Sequence, residues 1–440
     1  MDGLIMAAQM IAALSILIVL HEAGHFVAAR AFGIKVEKFY LFFDAWGIKL
    51  LKFRKGDCEY GIGWLPLGGY VKISGMIDES MDTEQLSKPP QPWEFRSKPA
   101  WQRLIVMLAG VFVNVVLGIA VFWMLTLKYG ETYLPASEVK HGIVAYDVAQ
   151  GIGLQTGDKV LAINGEPLER FDDLLSPDVL LGNTVLTVQR GSEELEITIP
   201  PDFLNSLAEG GRDSFIDPRF EFLIRDVVPG SPADKAGLQP DDRILAVDGK
   251  QISYFDQLQE ALAARKSEEV QLTVLRGADT TQLTAATDTE GTLGFYSKPL
   301  GLETKTIQYG FFEALPKSIS RSFNTLALQV RSFGKLFKGD LDPQKTLSGP
   351  IGIAQQFGGE FDGLNFWTLV GLLSLVLAFM NILPIPALDG GHAMFLLVEM
   401  VKGEPLSDKF LEKAQIVGFV ILLALMVFVF GNDILNIVKN

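Results

Sequence analysis

The sequence predicts a polytopic α-helical membrane protein: four transmembrane helices, a membrane-associated β-hairpin sheet and two extracytoplasmic α+β modules. Three observations predict it. The 440 residues contain four long runs without Asp, Glu, Lys or Arg. The formal charge of −14 is confined to one block, residues 131–310, which holds 15 basic and 30 acidic residues. That block also repeats itself, with a period of 84 residues. Charge and apolarity are therefore segregated along the chain, as expected when one part is dissolved in lipid and another in water. An acidic block repels phosphate backbones, which disfavours nucleic acid as a partner. A single cysteine, Cys58, excludes an internal disulfide framework and a Cys-rich zinc cluster; no role is assigned to this lone thiol.

The four uncharged runs are Gly3–Leu20, Leu104–Leu127, Leu364–Leu388 and Ala414–Asn432. Each reaches the roughly 17–25 residues that a span needs. With their flanks they define spans at 1–33, 101–128, 364–397 and 413–438. The first run lacks the basic start of a signal peptide, having only Asp2, and its apolar pattern continues past residue 20, so it reads as a retained helix. Basic residues crowd the loop between spans one and two (Arg30, Lys35, Lys38, Lys49, Lys52, Arg54, Lys55, Lys72, Arg96, Lys98 and Arg103) and recur at Lys402, Lys409 and Lys413; none precedes span one. By the positive-inside rule, loops 34–100 and 398–412 are cytoplasmic. Both termini and the acidic block then lie on the far side, which in a bacterial inner membrane is the periplasm.

In the first cytoplasmic loop, Val36–Phe43, Ile48–Phe53 and Tyr60–Ile73 are aromatic and β-branched segments divided by Gly-rich turns. They read as the β-hairpin sheet. The stretch Gly61-Ile-Gly63-Trp64-Leu-Pro-Leu-Gly68-Gly69-Tyr70 is apolar enough for a loop to enter the bilayer.

In the acidic block, Gly153-Leu-Gln-Thr-Gly-Asp-Lys-Val-Leu-Ala-Ile-Asn-Gly returns as Gly237-Leu-Gln-Pro-Asp-Asp-Arg-Ile-Leu-Ala-Val-Asp-Gly. Each copy continues to a Phe-Asp pair (Phe171-Asp172, Phe255-Asp256) and a later strand ending in Arg-Gly. Self-similarity of this kind marks two copies of one small module, here 129–214 and 215–303. Residues 227–238, Val-Val-Pro-Gly-Ser-Pro-Ala-Asp-Lys-Ala-Gly-Leu, resemble the opening of bacterial PDZ domains; the first copy has only a shortened version at Val144–Leu154. The resemblance implies modules able to take peptide C-termini by strand addition, with plain spacer domains as the alternative.

Two of the four histidines fall in His21-Glu22-Ala23-Gly24-His25. On a helix, residues four apart stack one turn apart on one face. Both imidazoles then address one point, the arrangement of two zinc ligands with Glu22 placed to take a proton from water. An acid in a membrane helix is costly and usually functional. A catalytic zinc needs a third protein ligand. His141 lies in the extracytoplasmic block, too remote. Asp389, in Asn381-Ile-Leu-Pro-Ile-Pro-Ala-Leu-Asp389-Gly-Gly-His392, follows 25 uncharged residues, beside the break that Pro384 and Pro386 impose. The topology brings it to the depth of His21 and His25, with His392 as the alternative ligand.

HEAGH in span one, tandem PDZ-like modules, and Asn-x-x-Pro-x-Pro-x-Leu-Asp-Gly-Gly in span three together resemble the site-2 protease family of intramembrane zinc metalloproteases. The resemblance covers essentially the whole chain. It implies one Zn2+ held by His21, His25 and Asp389, with Glu22 as general base. It gives Asn381 the substrate backbone or the developing oxyanion, the alternative being a helix-packing hydrogen bond. It also implies an edge strand in the 61–70 region that pairs with unwound substrate, making Gly61, Gly63, Trp64, Gly68, Gly69 and Tyr70 candidate substrate-binding residues. One departure is Gly110-Val-Phe-Val-Asn114, where the family often has Gly-Pro-x-x-Asn.

Between the modules and span three, segment 304–363 places Phe323, Leu326, Val330, Phe333 and Phe337 among Arg321, Arg331 and Lys335, the pattern of an interfacial amphipathic helix. Gly339–Gly363, with Ser-Gly-Pro-Ile-Gly-Ile, reads as the lining of an entrance. The expected partners are the lipid bilayer and single-span membrane proteins of the anti-sigma-factor type, with signal-peptide remnants as further substrates and the modules filtering by size. The rival from another class is a non-catalytic PDZ scaffold or receptor with a vestigial metal site; retention of three ligands and Glu22 argues against it.

Overall fold

The computed structural model describes residues 2–66, 68–76, 89–210, 215–346 and 349–439. Two compact units form: Met1–Gly130, Gln308–Lys335 and Leu347–Asn440 make the first, Glu131–Ile307 and Leu336–Thr346 the second. In chain order the helices are α1 (Asp2–Ala31), α2 (Ala100–Tyr129), α3 (Asp147–Gly151), α4 (Pro177–Leu180), α5 (Phe203–Gly210), α6 (Pro232–Ala236), α7 (Phe255–Ala263), α8 (Phe311–Lys338), α9 (Pro343–Thr346), α10 (Pro350–Gln356), α11 (Gly363–Ile382), α12 (Asp389–Lys402) and α13 (Asp408–Lys439).

In the first unit four helices are long and apolar enough to cross a bilayer: α1, α2, α11 and α13. α1 does not stop at residue 20. It runs on through His21–His25 to Ala31, about 45 Å at 1.5 Å per residue. Gly33 ends it, at φ 68°, donating its N–H to the Arg30 carbonyl. α1 and α2 approach closely because each presents a glycine to the other. A Cβ on Gly24 would stand 2.6 Å from the Ala109 carbonyl oxygen, and one on Gly110 would collide with the two imidazoles of α1. Close approach through small residues is how helices associate where lipid removes the hydrophobic drive.

The third apolar run is broken after Ile382. Leu383–Leu388 is non-helical, Ala387 takes φ 86°, and the chain re-enters a helix at Asp389. Pro384 and Pro386 lack the N–H groups a continuing helix would use. Gly390 and Gly391 let α12 fold back against the end of α11, since a Cβ on either would meet the Ile382 or Ile385 carbonyl. Arg103, on α2, pairs with Glu399 and fixes the far end of α12.

Four strands follow α1: β1 (Val36–Leu41), β2 (Lys49–Lys55), β3 (Cys58–Gly63) and β4 (Tyr70–Ile73), in the order β2-β3-β1-β4. This differs from a stack of hairpins. β2 and β3 form a hairpin, but the central pair β1 and β3 is parallel, and the expected strand 60–73 is two strands on different sides of β1. The sheet buries Val36, Val71 and Ile73 against the base of α1 and α2. β4 pairs only with β1, which leaves it at an edge.

On α8, Phe323, Val330 and Phe337 are exposed, whereas Leu326 joins the helical core and Phe333 packs on Phe379. In the expected entrance segment, Asp433 of α13 accepts the Gly349 and Ile351 N–H groups at the start of α10 at 2.9 and 2.8 Å; Leu347 and Ser348 lie outside the described residues.

The second unit contains β5 (Glu131–Tyr133), β6 (Ile143–Ala145), β7 (Lys159–Ile163), β8 (Glu166–Pro167), β9 (Thr184–Arg190), β10 (Glu193–Ile199), β11 (Ile216–Pro218), β12 (Glu221–Val227), β13 (Arg243–Val247), β14 (Lys250–Gln251), β15 (Glu269–Arg276), β16 (Asp279–Ala286), β17 (Phe295–Leu300) and β18 (Lys305–Ile307). The sheet β10-β9-β7-β8 recurs as β16-β15-β13-β14, with the same register break in the middle pair. The same ion pair also recurs. Asp158, 1% exposed, receives two bonds from Arg190 at 2.8 Å and the Gln155 N–H; Asp242, equally buried, receives Arg276 at 2.8 and 2.7 Å and the Gln239 N–H. The division expected between 214 and 215 falls later. Phe215 and Ile216 lie in the first hydrophobic core and β11 pairs with β6, so the first module keeps the chain to Pro218.

Candidate active site

His21, Glu22 and His25 occupy consecutive turns of α1, and Asp389 opens α12. The two ring centroids are 4.8 Å apart with planes at 79°, and their Nε2 atoms are separated by 3.2 Å. Asp389 Oδ2 stands 3.2 Å from His21 Nε2 and 3.3 Å from His25 Nε2. Among the described residues these three side chains form one group whose donor atoms all lie within 4.8 Å of one another. The side chains are 12, 6 and 16% exposed, so the convergence is not a surface accident.

Asp389 Oδ2 is buried and makes no well-directed hydrogen bond, although two ring nitrogens face it. Three lone-pair donors aimed at one point are satisfied together by a cation, and a His/His/carboxylate set suits zinc. The other ring nitrogens are held from α2. His25 Nδ1 lies 2.8 Å from the Val106 carbonyl oxygen, which takes its proton and turns the Nε2 lone pair inward. His21 Nδ1 lies 3.1 Å from the Asn114 amide.

The trio opens into a cleft of about 720 Å³. Glu22 is on its wall, against the backbone N–H of Val71 in β4. Asn381 reaches the trio from the last turn of α11, its Nδ2 3.4 Å from His21 Nε2. His392 lines the cleft but is not one of the converging donors. His141 contacts Tyr254 in the second unit.

The candidate substrate-binding residues divide. Gly68, Gly69 and Tyr70 line the cleft at the start of β4. Gly61 and Gly63 are in β3, behind β1, where their missing side chains make room for Tyr40 and the Phe43 backbone. Trp64 donates its ring N–H to the Ala45 carbonyl at 3.0 Å and stacks on Trp46. Leu67 lies outside the described residues.

Behind the cleft, Glu59 accepts from the Lys49 ammonium at 2.7 Å and the Tyr40 hydroxyl at 2.6 Å. The Lys49 contact first, then the Tyr40 bond, push its carboxyl down to about 2, and the same pairing raises Lys49. Asn114, quoted above only for its departure from the family pattern, and Gln415 also line the cleft, and neither was a candidate site residue. The available signal was weaker than a charge: each is an isolated polar side chain within an apolar run, an expensive placement unless it has work to do.

Comparison with known proteins gives a match to the family described as Peptidase family M50 over residues 9–425. The chain is 30% identical to the Regulator of sigma E protease of Haemophilus influenzae, covering 97% of this chain and 98% of that one. It is 29% identical to the Regulator of sigma-E protease RseP of Escherichia coli K12, covering 97% of each. A Vibrio cholerae relative with zinc metalloprotease in its name is 29% identical, over 96% of this chain and 97% of its own.

Proposed function

The chain belongs to peptidase family M50 and is a zinc metalloendopeptidase; from that premise we propose that it cuts membrane-embedded segments of single-span proteins, with His21, His25 and Asp389 as zinc ligands and Glu22 as general base. The observation that carries the reading is the convergence of three donors, drawn from helices far apart in sequence, on one point in a cleft between apolar helices.

His21, His25 and Asp389 would hold the zinc, which would supply Lewis acidity toward a peptide carbonyl and toward water. Glu22, on the cleft wall, is placed to accept a proton from the attacking water on a carboxylate oxygen and to return it to the leaving amide nitrogen. Asn381 donates Nδ2–H to the carbonyl oxygen as negative charge develops. A membrane helix has all its backbone groups paired internally, so substrate must unwind before it can react. The outer side of β4 borders the cleft at Tyr70–Ile73, where we place the strand addition of an unwound substrate; Gly68, Gly69 and Tyr70 lie where such a strand enters.

Two relatives are named as regulators of sigma E, and we extend the proposal to single-span membrane substrates of the anti-sigma-factor type. The basic loops extend it to an inner-membrane protein whose termini and acidic modules face the periplasm. There the two modules, read as PDZ domains, exclude substrates with bulky outer domains.

The test is cleavage of a reporter single-span substrate in detergent or vesicles, with zinc measured on the same samples. Wild type is expected to bind one zinc per chain and cut; Glu22→Gln is expected to bind zinc and not cut. A Glu22→Gln protein that cuts at the wild-type rate overturns the reading, as does a zinc-loaded wild type that cuts no such substrate.

A further inference from the structure

One buried polar atom on α2 is left over by the mechanism. Asn114 is wholly buried, and its Oδ1 has no hydrogen-bond partner. Its Nδ2 lies 3.1 Å from His21 Nδ1. In that orientation the amide donates to Nδ1, which forces the imidazole proton onto Nε2, the atom whose lone pair faces His25 and Asp389. A half-turn about Cβ–Cγ exchanges the two ends of the amide at almost no cost in shape. Oδ1 then meets Nδ1–H and Nε2 keeps its lone pair, while Nδ2 takes the unpartnered position that Oδ1 held.

On the reading of His21 as a metal ligand, we propose that Asn114 is its positioning residue: Oδ1 accepts the Nδ1 proton of His21 and thereby sets both the tautomer and the ring direction required for metal binding. Among the described residues the Asn114 amide is the group that bonds this nitrogen. The same face of α2 already does the equivalent for the second ligand through the Val106 carbonyl, 2.8 Å from His25 Nδ1. Val106, Gly110 and Asn114 are spaced i, i+4, i+8, so they form one vertical row on the helix. The first takes the proton of His25, the second leaves room for both rings, and the third takes the proton of His21. The row is anchored, since the Asn114 carbonyl accepts the Ser374 hydroxyl of α11 at 2.7 Å. A backbone carbonyl cannot be lost by substitution, but the amide can, so His21 is the ligand whose orientation rests on one side chain.

Two variants of the purified full chain separate this role from packing. Asn114→Leu keeps the volume and removes the acceptor; Asn114→Asp keeps an acceptor and removes the competing donor. Zinc affinity is read by competition with a chelator. Asn114→Leu is expected to weaken zinc by about 10–100-fold, the usual effect of losing an outer partner of a ligating histidine, and Asn114→Asp to match or exceed wild type. A side chain that merely fills space gives the opposite order, because leucine is tolerated there and a buried carboxylate is not. Unchanged affinity in Asn114→Leu, or Asn114→Asp weaker than Asn114→Leu, overturns the proposal. If a variant does not fold, 15N-histidine spectra of zinc-loaded wild type decide: a protonated Nδ1 on His21 upholds the assignment and a bare one overturns it. The double variant His21→Ala/His25→Ala isolates the underlying reading. Zinc retained there at one per chain sinks the metal site itself; zinc lost there but unchanged in Asn114→Leu sinks the role of Asn114 alone.

Discussion

Gly24 of α1 and Gly110 of α2 face one another's helices: a Cβ on the first would meet the Ala109 carbonyl at 2.6 Å, and one on the second would meet His21 Cε1 at the same distance. The site therefore depends on how closely two apolar helices approach, as much as on the ligands themselves.

Gly110→Ala follows directly. In an ordinary helix interior this change stabilises by roughly 1 kcal/mol. Here the added methyl meets both imidazoles, and they must turn away from Asp389. The expected outcome is at least a tenfold loss of zinc affinity, with a thermal midpoint unchanged or raised in the metal-free protein. Metal titration and calorimetry on the same preparation check it; full zinc affinity in Gly110→Ala would show that the rings have room the structure denies them.

The sheet behind the cleft carries a pH signature. Glu59 is held at about 2, below its ordinary 4.5, by Lys49 and Tyr40. A carboxylate depressed in this way stabilises the fold fully above the ordinary value. That stability is lost as pH falls from about 4.5 toward about 2, because the unfolded chain takes up the proton first. Wild type should thus lose thermal stability between pH 5 and pH 3 by more than Glu59→Gln, which has no proton to gain there. Parallel curves for the two proteins would remove Glu59 from the account.

Much of this was legible in the sequence because it rests on short-range chemistry. The spacing of His21 and His25 on one helix face, the break at Pro384 and Pro386, and the four apolar runs all follow from local rules. What was not legible is pairing across distance. β1 and β3 lie parallel because β2 turns back on β3, and nothing in Val36–Phe43 specifies that partner. Gly61 and Gly63 stand in the stretch expected to pair with substrate, and in the fold their lack of side chains admits Tyr40 and Phe43. β11 joins the first module although its sequence stands at the head of the second copy, because β6 needs a partner and the Phe215 side chain a core. Asn114 ends the Gly110–Asn114 segment noted for its missing proline, but its bond to His21 appears only in the folded chain.

The repeated ion pair of the second unit gives a prediction independent of the metal. Burial opposes ionisation of Asp242, yet Arg276 and the Gln239 N–H hold its carboxyl below the ordinary range. The carboxylate is 1% exposed and the guanidinium 35%, so the two partners are unequal: losing the arginine strands a charge, while losing both strands nothing. Arg276→Met should destabilise the second module, because it leaves the buried Asp242 carboxylate without its cation. Adding Asp242→Asn, which keeps an acceptor for Gln239, should recover part of that loss. The Asp158–Arg190 pair should repeat the pattern in the first module. Limited proteolysis within 220–300 reads the module, and zinc content reads the other unit, whose ligands share no side chain with either pair. A double variant no more stable than Arg276→Met would mean that the arginine acts through packing of its stem, and zinc lost in step with the module would mean that the two units fold as one.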